Sequence, residues 1–251
     1  MASPDWLIAR PIAHRGLHNR DTGLVENTLG AARAAINHGF SIECDVQLTA
    51  DGEVIVFHDD EVNRLTTSQG KVASKNLSEI KALRLRNTDD EIPTLNELLD
   101  SIASQVPLIC EIKSNYDGNM MVVERCCDIL NQYPGPVAIK SFDPEMVSIV
   151  RNLAPNRPRG FIGESSYDDP EWDVLGVSKK EYFVSLRHLS HSEPDFLSWY
   201  YKDLAQLGPS LSRWHTGLPL MTWTIRSEAG SAEYLKLADQ IVFENFLPDF
   251  E

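Results

Sequence analysis

Two short stretches carry acidic side chains in places where a folded chain normally keeps apolar ones. SIECDVQL, residues 41–48, alternates. If it is a strand, Ile42, Cys44, Val46 and Leu48 share one face, and Ser41, Glu43, Asp45 and Gln47 share the other. PLICEIK, residues 107–113, repeats the design, with Leu108, Cys110 and Ile112 opposite Ile109, Glu111 and Lys113. Three carboxylates converging in a low-dielectric site would repel one another, and their burial is costly unless they are paired or coordinated. A hard divalent cation resolves that conflict. All-oxygen ligation suits Mg²⁺ or Ca²⁺ better than zinc, and Cys and His residues with zinc spacing are absent. The competing reading is plain salt bridging, for instance to Lys113.

Two histidines end strand-like runs in the same way. His14 closes IAHRG and His58 closes VIVFHDD. Histidine exchanges protons near neutral pH, so two of them beside a cation suit acid–base work. A lone strand-end histidine would be read as structural. Arg15 and Lys113 could each bind an anionic oxygen or balance the carboxylates. His188 and His191, in SLRHLSH, are weaker candidates for substrate contacts. His18, His38 and His215 are weaker still, His38 through a helix-end dipole contact.

These side chains need a scaffold that gathers strand ends. The chain alternates strand-like and helix-like runs, which argues for an α/β fold with a parallel sheet. LIARPIAH, FSIECDVQL, EVIVFHDD, PLICEIK, PVAIKSF, RGFIGE, EYFVSL, PLMTWTI and DQIVFENF read as strands. Helices are expected from Thr28 toward His38, after the Thr94–Glu97 capping box, over 119–131, from Pro144 to Leu153, over 228–237, and in DFLSWYYKDLAQL after a cap at Ser192 and Asp195. Trp199, Tyr200 and Tyr201 would lie on that last helix. About eight crossover strands point to a (β/α)₈ TIM barrel, one domain over residues 1–251, in which residues 61–90 are polar and irregular with short helical pieces. Catalytic groups then sit at the C-terminal strand ends. An open doubly wound sheet is the alternative, but no G-x-G-x-x-G motif follows the first strand.

The 251 residues carry a net charge of −14, which disfavours nucleic-acid binding. No run reaches the roughly 20 apolar residues of a membrane span. The N-terminus does not read as a signal peptide, and Cys44, Cys110, Cys126 and Cys127 show no disulfide framework, so a cytoplasmic location is expected. A homo-oligomer is compatible with the sequence.

The chain resembles the glycerophosphodiester phosphodiesterase family along almost its whole length. The ordered motifs are HRG at 14–16, ENT at 26–28, Glu43-x-Asp45, His58-Asp59, IPTL at 92–95, Glu111-x-Lys113 and the late Trp223-Thr224. The resemblance implies a TIM barrel with a short insertion after the HD motif, at about residues 60–92, and a divalent cation on Glu43, Asp45 and Glu111. It implies acid–base roles for His14 and His58, and phosphate contacts from Arg15 and Lys113. Trp223, toward the end of a late strand, would either wall the pocket as a substrate contact or fill the core. The implied reaction is hydrolysis of a glycerophosphodiester to sn-glycerol 3-phosphate and an alcohol, through attack by the substrate's own 2-hydroxyl or by water. Phospholipase D-like action on lysophospholipid or sphingomyelin-type lipids is the alternative, and a non-catalytic phosphate-ester binder a third reading. The last strand departs from the family pattern, with Glu244 and Asn245 where a T-D-x-P-like turn is usual.

Overall fold

The computed structural model of the chain describes residues 3–19, 23–206, 208, 210 and 215–250. Two compact units form. One holds Ala13–Lys113 and Met120–Val137, and the other holds Ser114–Asn119, Ala138 onward and the N-terminal residues through Ile12.

The short strand β1 is Ile12–Ala13. The longer run expected over LIARPIAH does not form. Asp5–Leu7 is a 3₁₀ turn, and Pro11 offers no N–H to a ladder. Thr28 caps α1 (Leu29–Asn37), its hydroxyl accepting from the Ala31 amide at 3.1 Å. Strand β2 (Ser41–Leu48) is buried along most of its length. Strand β3 (Val54–Val56) pairs with it antiparallel. The turn between them is too short for a crossover, so β3 is a hairpin return and not a barrel strand. The insertion carries the short helix α2 (Leu77–Lys81), and the Thr94–Glu97 capping box opens α3 (Leu95–Ile102) as expected. Strand β4 (Leu108–Ile112) runs parallel to β2, with Asp45 opposite Glu111. Helix α4 (Met121–Gln132) follows it. The alternation read from the sequence holds here, because Cys110 meets Cys126 of α4 at 3.9 Å on the helix side of the strand.

In the other unit, strand β5 (Val137–Ser141) leads to α5 (Pro144–Leu153), opened by Asp143, whose carboxylate accepts from the Glu145 amide. Strand β6 (Arg159–Gly163) follows. The next two elements reverse the expectation. Residues 181–184 of EYFVSL lie in a helix, α6 (Val177–Val184), and a short α7 (Leu189–Ser192) comes after it. DFLSWYYKDLAQL instead supplies a strand, β7 (Phe196–Tyr200). Phe196, Leu197, Ser198 and Trp199 are all buried, the signature of a parallel strand covered on both faces. Gly163 of β6 makes room for Trp199, since a Cβ there would lie 2.5 Å from the indole. In α6 only Phe183 is buried, and the run Ser178–Glu181 is polar. Asp195 is no cap, because its carboxylate takes the Arg159 amide at 3.1 Å. Strands β8 (Leu220–Ile225) and β9 (Gln240–Phe243) complete the series by parallel pairing.

The strand order is β1-β9-β8-β7-β6-β5-β4-β2-β3, with β1 also paired to β2, which is the order of a (β/α)₈ barrel. The unusual turn at Glu244 and Asn245 leaves β9 in place. Glu244 pairs with Arg226 at 2.6 Å, and Asn245 takes a left-handed backbone. Among the described residues, no helix is long and apolar enough to cross a membrane.

Candidate active site

Glu43, Asp45 and Glu111 are 0, 1 and 5% exposed, and each offers a carboxylate oxygen within 4.8 Å of the other two. The parallel register of β2 and β4 creates this meeting, because paired positions on neighbouring strands point the same way. Three cations offset the charge of the carboxylates. Lys113 Nζ donates to Glu111 Oε1 at 2.6 Å and lies 2.8 Å from Asp45 Oδ1. Arg15 Nε lies 3.3 Å from Asp45 Oδ2, and Arg15 Nη1 donates to Glu26 Oε1 at 2.6 Å. Arg64 joins Glu26 to Asp59.

Burial opposes ionisation of Asp45. Lys113, His58, Arg15 and His14 outweigh it and hold this carboxyl well below the usual carboxylate range. Burial likewise opposes the Lys113 charge, and Asp45 and Glu111 overcome it, so the ammonium persists above its ordinary range. Glu26 is buried too, but hydrogen bonds from Arg64 and the charge of Arg15 lower it to about 2. Glu26 and Asp45 are therefore held ionised. Glu43, Asp45 and Glu111 form an all-oxygen donor set that fits a hard divalent cation.

The loops around these strand ends are shaped for the site. Arg15 has φ 55°, and Gly16 at φ 78° packs on α1 so closely that a Cβ would lie 2.9 Å from Ala31. That turn brings the Arg15 amide to Glu43 Oε2 at 3.0 Å. Asn27, also at positive φ, donates from Nδ2 to Asp45 Oδ2 at 2.9 Å. Gln47 Nε2 donates to the carbonyls of Phe57 and Asp59, tying the loop that carries His58 to β2. His58 Nδ1 lies 2.8 Å from Asp59 Oδ1. Burial works against the Asp59 charge, but His58 and Arg64 hold it ionised, so the carboxylate accepts and Nδ1 carries the proton. This leaves Nε2 of His58 as the basic atom. His14 follows β1 and is half-buried.

His14, Arg15, Glu43, Asp45, His58, Glu111 and Lys113 thus belong to one unit and one network. Trp223 belongs to the other unit, on β8. There it packs against Phe142 and Tyr200 at 5.5 and 5.2 Å between ring centroids and donates to the Ser198 carbonyl. His188 and His191 do not follow a strand. His188 is fully buried against Phe161, and His191 pairs at the surface with Glu145. Trp199 and Tyr200 are on β7 and not on a helix. Arg64, and the joining roles of Glu26 and Asn27, are not visible in the spacing of the chain. Arg64 lies in a polar insertion, and the only local signal is a cation five residues after His58-Asp59.

Comparison with known proteins identifies the family. The glycerophosphodiester phosphodiesterase of Bacillus subtilis (strain 168) is 30% identical over 273 residues, covering 99% of this chain and 86% of that protein. The protein of that name from Caldanaerobacter subterraneus subsp. tengcongensis is 29% identical, with 85% and 84% covered. In structure, an Oleispira antarctica phosphodiesterase solved in complex with its product sn-glycerol-3-phosphate aligns with TM-score 0.75 at 24% identity, over 93% of this chain and 91% of that one, which supports the fold. The profile of the glycerophosphoryl diester phosphodiesterase family matches residues 14–246, so the chain belongs to that family and is a phosphodiesterase.

Proposed function

We propose that this phosphodiesterase hydrolyses small glycerophosphodiesters, such as glycerophosphocholine, to sn-glycerol 3-phosphate and an alcohol in a cation-dependent reaction. The observation that carries the reading is the convergence of Glu43, Asp45 and Glu111 on one buried point beside Arg15 and Lys113. The three carboxylates would hold Mg²⁺ or Ca²⁺. When bound, such an ion supplies positive charge against the developing phosphorane.

The rest follows from the chain's own side chains. A phosphodiester monoanion repels nucleophiles, and Arg15 and Lys113 would offset its charge. Lys113 has three N–H donors, of which Asp45 and Glu111 use two, so one is left for a phosphoryl oxygen. One histidine takes the proton from the attacking hydroxyl as the new P–O bond forms. The other gives a proton to the departing alkoxide as the old P–O bond breaks. Where the attacker is the substrate's own 2-hydroxyl, water then opens the cyclic phosphate with the two histidines in exchanged roles. Asp59 suits His58 to this work by fixing its tautomer. Trp223 is assigned a contact with the substrate. The reading takes the whole chain as one catalytic domain acting in the cytoplasm, in keeping with four free cysteines.

The test is release of sn-glycerol 3-phosphate from glycerophosphocholine after chelation and again with Mg²⁺ or Ca²⁺ restored. Release that requires the ion and falls at least 10²-fold, on the order expected for a lost general acid or base, in folded His14→Ala supports the reading. Release that survives chelation removes the ion from it. No release from glycerophosphocholine, with turnover of a lysophospholipid, moves the substrate to the lipid class.

A further inference from the structure

Arg64 lies outside every motif that suggests the activity, yet it makes the most complete set of side-chain contacts near the site. Its Nε and Nη2 donate to Asp59 Oδ2 and Oδ1 at 2.6 and 2.9 Å. Its Nη1 and Nη2 donate to Glu26 Oε2 and Oε1 at 2.9 and 2.7 Å. One planar guanidinium is thus shared by two bidentate carboxylates, and four of its five N–H groups are used. A guanidinium so occupied has little left for a substrate. Its effect must run through its two partners.

Those partners lead to two different groups assigned to the reaction. Asp59 accepts from His58 Nδ1, and Glu26 accepts from Arg15 Nη1. We propose that Arg64 is a positioning residue that holds the acid–base histidine and the phosphate-binding arginine in one rigid frame. The polar insertion exists in part to present it. This inference rests on the roles proposed above for His58 and Arg15.

The way Arg64 is held supports this assignment. The insertion shares a small core with β3, in which Val62, Val72, Ile80, Leu85 and Ile92 are buried with Ile55 and Phe57 and Leu65 packs against them. Val62 and Leu65 flank Arg64 and anchor the turn that carries it. Thr66 closes that turn by donating from both its amide and its hydroxyl to the Val62 carbonyl, at 3.0 and 2.9 Å. The Val62 amide donates to Gly70 O, the Val72 amide to Asp60 O and the Arg86 amide to Leu65 O. These bonds fix the backbone on both sides of Arg64. Lysine cannot replace this fork, because an ammonium is a point charge without two parallel donor pairs.

The experiment compares kcat and KM for glycerophosphocholine in wild type, Arg64→Ala, Arg64→Lys, His58→Ala and Arg84→Ala, with a thermal melt of each. Arg84 is an insertion arginine paired with Glu91 at the surface and serves as the control. Loss of a partner that orients a reacting group costs about 10- to 100-fold. Arg64→Ala should therefore lose that much in kcat/KM, through kcat as His58 loses its orientation and through KM as Arg15 loses its own. Arg64→Lys should recover only a small part, and added guanidinium ion should restore kcat in Arg64→Ala alone. Arg84→Ala should match wild type. Should Arg64→Ala prove unfolded at the assay temperature, Arg64→Lys carries the test. A folded lysine variant with full kcat overturns the proposal, as does an alanine variant within about threefold of wild type or one that guanidinium leaves unchanged. The functional reading fails separately, if wild type is inactive or His58→Ala retains full activity.

Discussion

Asp45 and His188 are both buried titratable side chains, at 1% and 0% exposure, and the protein treats them in opposite ways. Asp45 is surrounded by Lys113, Arg15, His58 and His14 and stays charged. His188 is surrounded by rings, with Phe161 at 4.0 Å, Tyr182 at 5.8 Å and Phe183 at 6.2 Å between centroids. Its Nδ1 has only the Ser192 hydroxyl, at 3.1 Å, so burial and then the nearby His191 lower it to about 3, and it stays neutral. Burial raises the same electrostatic cost at both places. It is met by partners in one and by giving up the proton in the other. The first solution leaves a charged cluster that can act on a substrate, and the second leaves a packed core. In this chain the buried ionisable group at the candidate site is the one whose surroundings keep it ionised.

The largest expected effect separates the two regions by activity. On the proposed function, Asp45→Asn should lower turnover by about 10³-fold, because a cation held there would contribute several kcal/mol to transition-state charge stabilisation. His188→Gln should remain within about threefold of wild type, since it disturbs packing far more than chemistry. Steady-state assays of both folded variants check this, and equal losses would erase the distinction.

The acid limb of stability sharpens it next. Glu26 titrates near 2 in the fold and near 4.5 in a free chain. Its folded value is depressed, so its contribution is complete above about pH 4.5 and is lost as pH falls through 2. The amount is up to about 3 kcal/mol. Urea unfolding of wild type and Glu26→Gln from pH 5 to 2 should converge as the pH falls.

The smallest effect lies at milder pH. His188 binds its proton near 6.5 when unfolded and near 3 when folded. The unfolded state binds more protons between these values, so stability declines as pH drops below 6.5, by about 2 kcal/mol at pH 5. His188→Gln should lack that decline. Denaturant midpoints at pH 7.5 and pH 5 decide it, and an identical slope in the variant would mean that the ring is protonated in place.

Most of the candidate site was legible in the chain because it sits on strands, where a period of two assigns every side chain to a face. Glu43, Asp45, Glu111 and Lys113 needed only that rule, and Thr28, Thr94 and Pro144 marked their helices by local capping chemistry. The helix–strand exchange over residues 177–200 was not legible. EYFVSL has strand-like residues, and DFLSWYY looks amphipathic after a plausible cap. Pairing with β6 and β8 and the space left by Gly163 decided between them, and those are long-range contacts.

By itself, then, the sequence determined which residues could ionise, bind a cation or move a proton, and which short runs would form strands with those residues on one face. These are properties of side-chain type and local periodicity. Only the tertiary structure decided that Asp45 lies opposite Glu111 and that Arg64, paired with Asp59, reaches Glu26 38 positions away in the chain. Register and burial arise from packing between distant segments, and no local pattern encodes the distance at which two of them will meet.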